Sequence, residues 1–357
     1  MSKNSTQVVT KSGSAAFAKA IFRFAVLAAA SIFAICLVWL NVRLYAVPKG
    51  SAERGVVAED ALDQLACIGR RLRAGEGADM QMIFPEGWFF SHALYGFAWV
   101  NVGLRTPDPA LKQRAVDEVR WVLQRMDTPD GLEFFMADTQ VEHGVFYLGW
   151  KNRLLGGLLA LKPESGPTPG EIESFHRMSA ELAEAFRATP TRHLDAYPGQ
   201  SWPCDNVMAL SSLRLHDELF DPQFGDVIES WLAYTRDHLD PQTGLMPHMI
   251  DGRTGAALIR PRASTQVYMH AVLPELDAGF AREQYARFRE LYVQDWLGFL
   301  PVREYPIGSS GSGDVDTGPL VFGLSPSATV VSIAAARANG DFELADRTVR
   351  CTVDFGG

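Results

Sequence analysis

Nineteen consecutive uncharged residues, "FAVLAAASIFAICLVWLNV" from Phe24 to Val42, constrain this chain more than any other feature. So apolar a run meets its own backbone hydrogen-bonding needs inside a bilayer only as a helix, and about 20 residues are what a bilayer core requires. The run exceeds the roughly 7–15-residue apolar region of a cleavable signal, and no A-x-A site follows it. Lys3, Lys11, Lys19 and Arg23 precede it, while Arg43 and Lys49 follow. Positive charge stays on the cytoplasmic side. The expectation is a single-pass signal anchor in a bacterial inner membrane. Residues 1–23 would be a cytoplasmic tail, 24–42 the span, 43–57 a linker ("AVPKGSAERG" at its centre) and 58–357 a periplasmic domain. A signal peptide that is removed is the alternative; either way the main domain is exported.

That domain is long enough to bury a large core. The whole chain of 357 residues is 47% hydrophobic and carries a formal net charge of −9. The negative balance argues against a nucleic-acid surface, which needs clustered Lys and Arg. Its pattern is helical almost throughout. "DEVRWVLQRM" and "ELAEAFRAT" place apolar residues three and four apart, as do Val227, Ile228, Trp231, Leu232 and Leu239, and again Tyr285, Phe288, Tyr292 and Trp296. No series of alternating β-branched runs with tight turns appears. Between the helices lie long connections, "DTPDGLEFFMADTQVEHG", "DPQTGLMPHMIDGRTGAALIRPRAST" and "PVREYPIGSSGSGDVDTGPLVFG", alternating with short ones such as "FDPQFGD". The weak repeat of helix, short turn, helix, long loop has a period of roughly 50–60 residues. It predicts an all-α fold of the (α/α)6-toroid type with the long loops at one mouth, an α-solenoid being the second choice.

Long loops in compact domains are usually either functional or disordered, and the aromatics and paired carboxylates in these favour function. Asp314 and Asp316, in "SSGSGDVDTGP", are a pair of acids in a glycine-rich setting; two acids held close push their pKa values apart and so separate acid from base roles. They are too few for a calcium loop. In "YPGQSWPCDNVMALSSL", Asp205 and Asn206 stand where a helical pattern begins, either as helix caps or as groups facing a concave mouth. Cys204 beside them is either a buried inert thiol or one activated by the helix terminus. Trp202 is a candidate wall for a ligand. Glu142 and His143, with Tyr147 four residues on from His143, form a third group. Tyr268, His248 and Arg303 are further candidates for substrate contact. Cys36, Cys67, Cys204 and Cys351 lack metal or redox spacing, and no P-loop, dinucleotide, zinc or nucleophile-elbow motif is present. The expectation is therefore a site without metal or cofactor. A bridge between Cys67 and Cys351 would tie the ends of the exported part together.

From about residue 85 to 342, the order of these segments resembles the linalool dehydratase/isomerase family. The likeness rests on "GLEFFMADTQVEHGVFYLGWKNRLLGGLLAL", "PCDNVMALSSLRLHDELF", "SWLAYTRDHLDPQTGLMPHMIDGRTGA", "YARFRELYV" and "VREYPIGSSGSGDVDTG" with "ARANGD". The resemblance implies an α/α barrel and cofactor-independent acid–base chemistry on a small terpene alcohol in a mostly apolar cavity. Cys204 matches the second cysteine of the family's pair; Ala196 or Tyr197 stands where the first would fall. Lys151 or Asn152 occupies the place of its histidine, and its early Asp and Tyr have no counterpart in "MQMIFPEGWFFSHALYGF". The end at "RTVRCTVDFGG" implies an abbreviated last hairpin, or cover from the membrane span or another subunit.

The functional expectation is an acid–base lyase or isomerase acting on a small alcohol or lipid-like molecule. Its catalytic candidates are Asp205, Asp314, Asp316, His143, Glu142 and Cys204, with Trp202, Tyr147, Asn206, Tyr268, His248 and Arg303 as substrate contacts. A glycan-acting hydrolase, lyase or epimerase and a non-catalytic module of an envelope complex are the alternatives. Expected partners are the substrate, the bilayer through residues 24–42, and a second copy or an envelope partner, without nucleic acid.

Overall fold

The computed structural model describes residues 9–45, 57, 59–135, 138–162, 166–296 and 299–353. The expected linker segment "AVPKGSAERG" lies outside them. The described residues are mostly helical, with fourteen α-helices and one two-stranded hairpin. They fall into two units, which are taken separately.

The first unit contains α1, Val9–Tyr45. Its stretch from Phe17 to Trp39 is long and apolar enough to cross a membrane, with a mean hydropathy of 2.5, and none of it is buried within the protein. The helix starts well before the apolar run, because Lys19 and Arg23 limit what enters a membrane but are themselves good helix formers. Its length and composition suit a membrane anchor and a signal sequence alike.

The second unit spans residues 49–349. Its helices are α2 (Glu59–Arg73), α3 (Gly77–Ile83), α4 (Gly87–Arg105), α5 (Pro109–Met126), α6 (Pro129–Leu132), α7 (Gly144–Ala160), α8 (Pro169–Ala188), α9 (Pro203–Leu219), α10 (Gly225–Asp237), α11 (Ala263–Val272), α12 (Ala278–Tyr292), α13 (Pro326–Ala338) and most of α14 (Phe342–Val353). Several starts are written plainly in the sequence. Asp108, Thr168 and Ser325 each cap the next helix with a side-chain oxygen, and each is followed by proline at the first helical position. The expected period through Trp296 stops early: α12 ends at Tyr292, because Val293 turns to extended backbone and bridges Val302.

α7 is buried on nearly every side and organises the core. Gly149 brings it against α9 so closely that an added Cβ would lie 2.8 Å from the Ala209 methyl. Inside this contact Asn152 donates to Ser179 of α8 (3.0 Å) and Ser212 of α9 (2.9 Å). Around it Trp99, Phe175, Phe186 and Trp231 are fully buried. Each such side chain contributes about 1.5–3 kcal/mol of apolar transfer.

The long connections are joined to one another in series. Gln140 accepts from the Asp195 N–H at 3.0 Å, linking the loop before α7 to the loop before α9. Ser201 and Ile250 exchange two backbone hydrogen bonds, of 3.0 and 2.8 Å, linking that loop to the one after α10. The latter folds into the hairpin β1 (Met249–Ile250) and β2 (Ala257–Ile259). Arg262, at its end, donates to Glu304 at 2.9 Å, linking it to the loop before α13. Residues far apart in sequence are thereby held side by side.

Candidate active site

A cavity of about 540 Å³ opens where these connections meet. Its walls are mostly apolar and aromatic: Phe90 on α4, Phe146 and Trp150 on α7, Trp202 ahead of α9, and Tyr268 on α11. The rings pack edge-on or tilted, with Trp150 at 5.2 Å from Phe90, 5.6 Å from Phe146 and 5.9 Å from Tyr268. Ile68, Leu94 and Val315 line the cavity and are exposed, so apolar side chains reach its mouth.

Three carboxyl groups enter this apolar space from three separate elements: Glu86, Asp205 and Asp316. Asp205 sits in the first turn of α9 but caps nothing; Trp202 holds the cap position and Pro203 begins the helix. Its Oδ1 accepts from the Trp150 indole at 3.2 Å. A helix N-terminus favours the anion, yet burial outweighs it here. Desolvation, reinforced by the charges of Glu86 and Asp316, pushes the Asp205 carboxyl up to about 8. Asp205 therefore holds its proton at neutral pH.

Asp316 reaches the cavity from the glycine-rich loop and remains solvent-accessible. The surrounding protein raises its pKa, and so do the charges of Asp314 and Glu86, while Arg262 opposes them. Glu86 lies in the turn between α3 and α4, where Gly87 lets the chain pass within a Cβ's reach of the Met80 carbonyl. Its carboxylate accepts a hydrogen bond from the Tyr197 hydroxyl. Burial and that acid keep Tyr197 protonated, its pKa raised well above that of a free phenol. Cys204 lines the cavity too, but burial and the neighbouring acids raise its pKa. It is a thiol rather than a thiolate activated by the helix terminus. Tyr268, pushed up to about 12 by burial, is likewise neutral.

Of the residues expected from sequence, Asp205, Asp316, Cys204, Trp202 and Tyr268 line this cavity. The others do different work. Asp314 turns away from it to pair with Arg262, which holds its carboxyl below the usual range. Its Oδ1 accepts from the backbone N–H groups of Asp316 and Thr317, both at 3.2 Å, and so shapes the turn that presents Asp316. Asn206 is fully buried and knits the preceding loop to α9, accepting from the Leu194 N–H at 2.7 Å and donating to Trp202 O at 2.9 Å. Tyr147 is a core residue, its hydroxyl donating to Met126 O and Asp127.

Glu142 and His143 lie at a separate shallow depression with Glu181. His143 is fixed there with a left-handed backbone and its Nδ1 2.6 Å from Phe135 O. His248 is buried against the Thr265 hydroxyl at 3.1 Å, and burial lowers its pKa to about 4. Arg303 donates to Ser309 O at 3.3 Å and is not part of the cavity wall. Cys67 is a free, exposed thiol rather than half of a bridge.

Glu86 and Trp150 were not among the residues singled out from sequence, and Tyr197 was named only as one of two positions where the family's first cysteine would fall. For Glu86 a signal existed: an acid between Pro85 and Gly87 marks a turn at a helix start. Among the described residues no group of three or more His, Cys, Asp and Glu side chains is arranged to hold a metal ion. No protein-family model matches the chain.

Proposed function

We propose that this chain is an exported, membrane-tethered acid–base enzyme, a lyase or isomerase acting on a small, largely apolar alcohol or lipid-like molecule. The observation that carries the reading is the meeting of Glu86, Asp205 and Asp316 in one aromatic-walled cavity. Asp205, protonated at neutral pH, is placed to give a proton to a leaving hydroxyl, so that the C–O bond breaks and water departs. Asp316 as carboxylate takes a proton from the adjacent carbon, forming the double bond. Water returns the proton from Asp316 to Asp205, and the reverse sequence hydrates an alkene. Such paired acid–base roles follow from carboxyls whose environments differ. Tyr197 and Glu86 would orient the hydroxyl.

The arrangement is in keeping with a linalool dehydratase/isomerase-like (α/α)6 toroid. Helix pairs alternating with long connections that hydrogen-bond in series support that topology. We place α1 across an inner membrane as an anchor, its N-terminus cytoplasmic and the second unit periplasmic. The charges flanking the apolar run support this orientation. The apolar walls favour an apolar substrate over a glycan, whose many hydroxyls would need partners.

The test is incubation of the purified full chain, in nonionic detergent, with a panel of apolar alcohols and alkenes in deuterated water, followed by mass spectrometry. Deuterium incorporation or gain and loss of water is expected. It should fall at least 100-fold in Asp205→Asn with an unchanged melting profile. With Asp205 as the acid, the rate declines as pH rises through about 8. Turnover that survives in both Asp205→Asn and Asp316→Asn removes these residues from the chemistry.

A further inference from the structure

We propose that the cavity selects positive charge: its preferred ligand carries an ammonium centre, or a carbon that becomes cationic in reaction, on an apolar body. The proposal rests on the cavity read above as the active site and names what that cavity recognises. Three observations support it. The first is charge balance. Glu86, Asp205 and Asp316 line the cavity, and among the described residues no Lys, Arg or His side chain does. Behind them stand Asp314 and Glu304, and the cation that acts on this group is Arg262. Arg262 is committed through two of its three nitrogens, donating to Glu304 at 2.9 Å and to Asp314, and it does not line the cavity. The cavity wall thus carries three carboxyl groups and, among the described residues, no cation to balance them.

The second is an open acceptor. Asp205 is only 6% exposed and lines the cavity, and its Oδ1 is taken by the Trp150 indole. Among the described residues no donor reaches its Oδ2. A carboxylate oxygen left without a donor in so apolar a cavity is costly, so it favours either a proton or a cation there. The third is the wall. Trp150, Trp202, Tyr268 and Phe90 surround the acids, and aromatic faces attract organic cations, most strongly when water is excluded. A neutral apolar ligand would use the rings and leave the acids to protons; a cation uses both. The same complementarity would favour the positive charge that grows as a C–O bond breaks, so an ammonium compound would act as its ground-state mimic.

Benzyltrimethylammonium and neopentylbenzene share one shape and differ by a single charge, and neither titrates. Binding of each to the full chain in nonionic detergent, followed by tryptophan fluorescence and calorimetry, separates charge from shape. The cation is expected to bind at least tenfold more tightly than the hydrocarbon at pH 8.5. Its affinity should rise at least tenfold from pH 6 to 8.5 as protons leave the cavity acids, with proton release on binding, while that of the hydrocarbon stays flat. Asp205→Asn and Asp316→Asn should each weaken the cation about tenfold and leave the hydrocarbon unchanged.

Equal or tighter binding of the hydrocarbon by the wild-type chain overturns the preference for charge, yet leaves an apolar active site standing. Absence of binding by both overturns the proposal and counts against the cavity as the site. The wild-type comparison decides the matter even where a variant fails to fold.

Discussion

Acids on the outer helices and acids in the cavity obey opposite rules. On the surface, Glu171 pairs with Arg120 at 2.7 Å, Asp226 with Arg187 at 2.8 Å and Asp277 with Arg236 at 2.6 Å. Each links neighbouring parts of the helical scaffold, and each carboxyl sits below its usual pKa: desolvation, the largest single influence on Glu171, is outweighed in all three by an arginine and nearby N–H groups that together favour the anion. In the cavity Asp205 and Asp316 have no arginine of their own; burial lifts Asp205 above the ordinary range, and the surrounding protein with the charges of Asp314 and Glu86 lifts the more accessible Asp316. A structural acid is supplied with its counter-charge by the fold. Asp205 and Asp316 are left without one, a pattern that groups at functional sites often share.

Arg262 lies between the two regimes and offers the most severe test of the contrast. It is buried, pairs with the fully buried Glu304, and supports the Asp316 turn through Asp314. Arg262→Leu leaves Glu304 uncompensated in the interior, so a loss of about 3–5 kcal/mol is expected, read as a lowered denaturant midpoint. If instead the variant is as stable as wild type, the cluster is not the support assigned to it.

Asp205→Asn tests the other side. A carboxyl raised in the folded state means that the native chain binds a proton the unfolded chain releases. Stability from this group is full below the unfolded pKa of about 4 and is lost progressively as pH rises towards 8. The wild type should lose on the order of a few kcal/mol across that window on this account, and the asparagine variant should lack that part of the slope. Denaturant titrations at pH 5 and pH 8.5 measure the difference. Equal slopes for the two proteins would mean that Asp205 is ionised and paired like the surface acids.

Much of this was legible in the sequence, and the rest was hidden for a definable reason. Periodicity located α5, α8, α10 and α12, because each is amphipathic and half-exposed, and the turn residues marked the long loops. What the pattern does not carry is side-chain direction in short irregular segments. Asp205 and Asn206 are adjacent, but successive helical residues are about 100° apart. One faces the cavity, and the other faces the Leu194 backbone. Asp314 and Asp316 are separated by one residue, yet the turn sends the first to Arg262 and the second to the cavity. Glu142 and His143 looked as suitable as either, and belong to another depression altogether. Glu86 acquires its meaning only from Tyr197, 111 residues away.

The smallest effect is expected where a tally of ion pairs would place a large one. Arg187 meets Asp226 with two hydrogen bonds, of 2.9 and 2.8 Å, a geometry as good as any in the molecule. Yet the two side chains are 44% and 61% exposed, so water and salt already screen the pair. Arg187→Ala should cost no more than about 1 kcal/mol, and less at high ionic strength. Asp226, held below its usual range, contributes above an unfolded pKa of about 4 and loses that contribution as pH falls, the reverse of Asp205. A melting shift beyond a few degrees at pH 7 would show that the surface acids are also under strain, and the division between scaffold acids and cavity acids would then have to be redrawn.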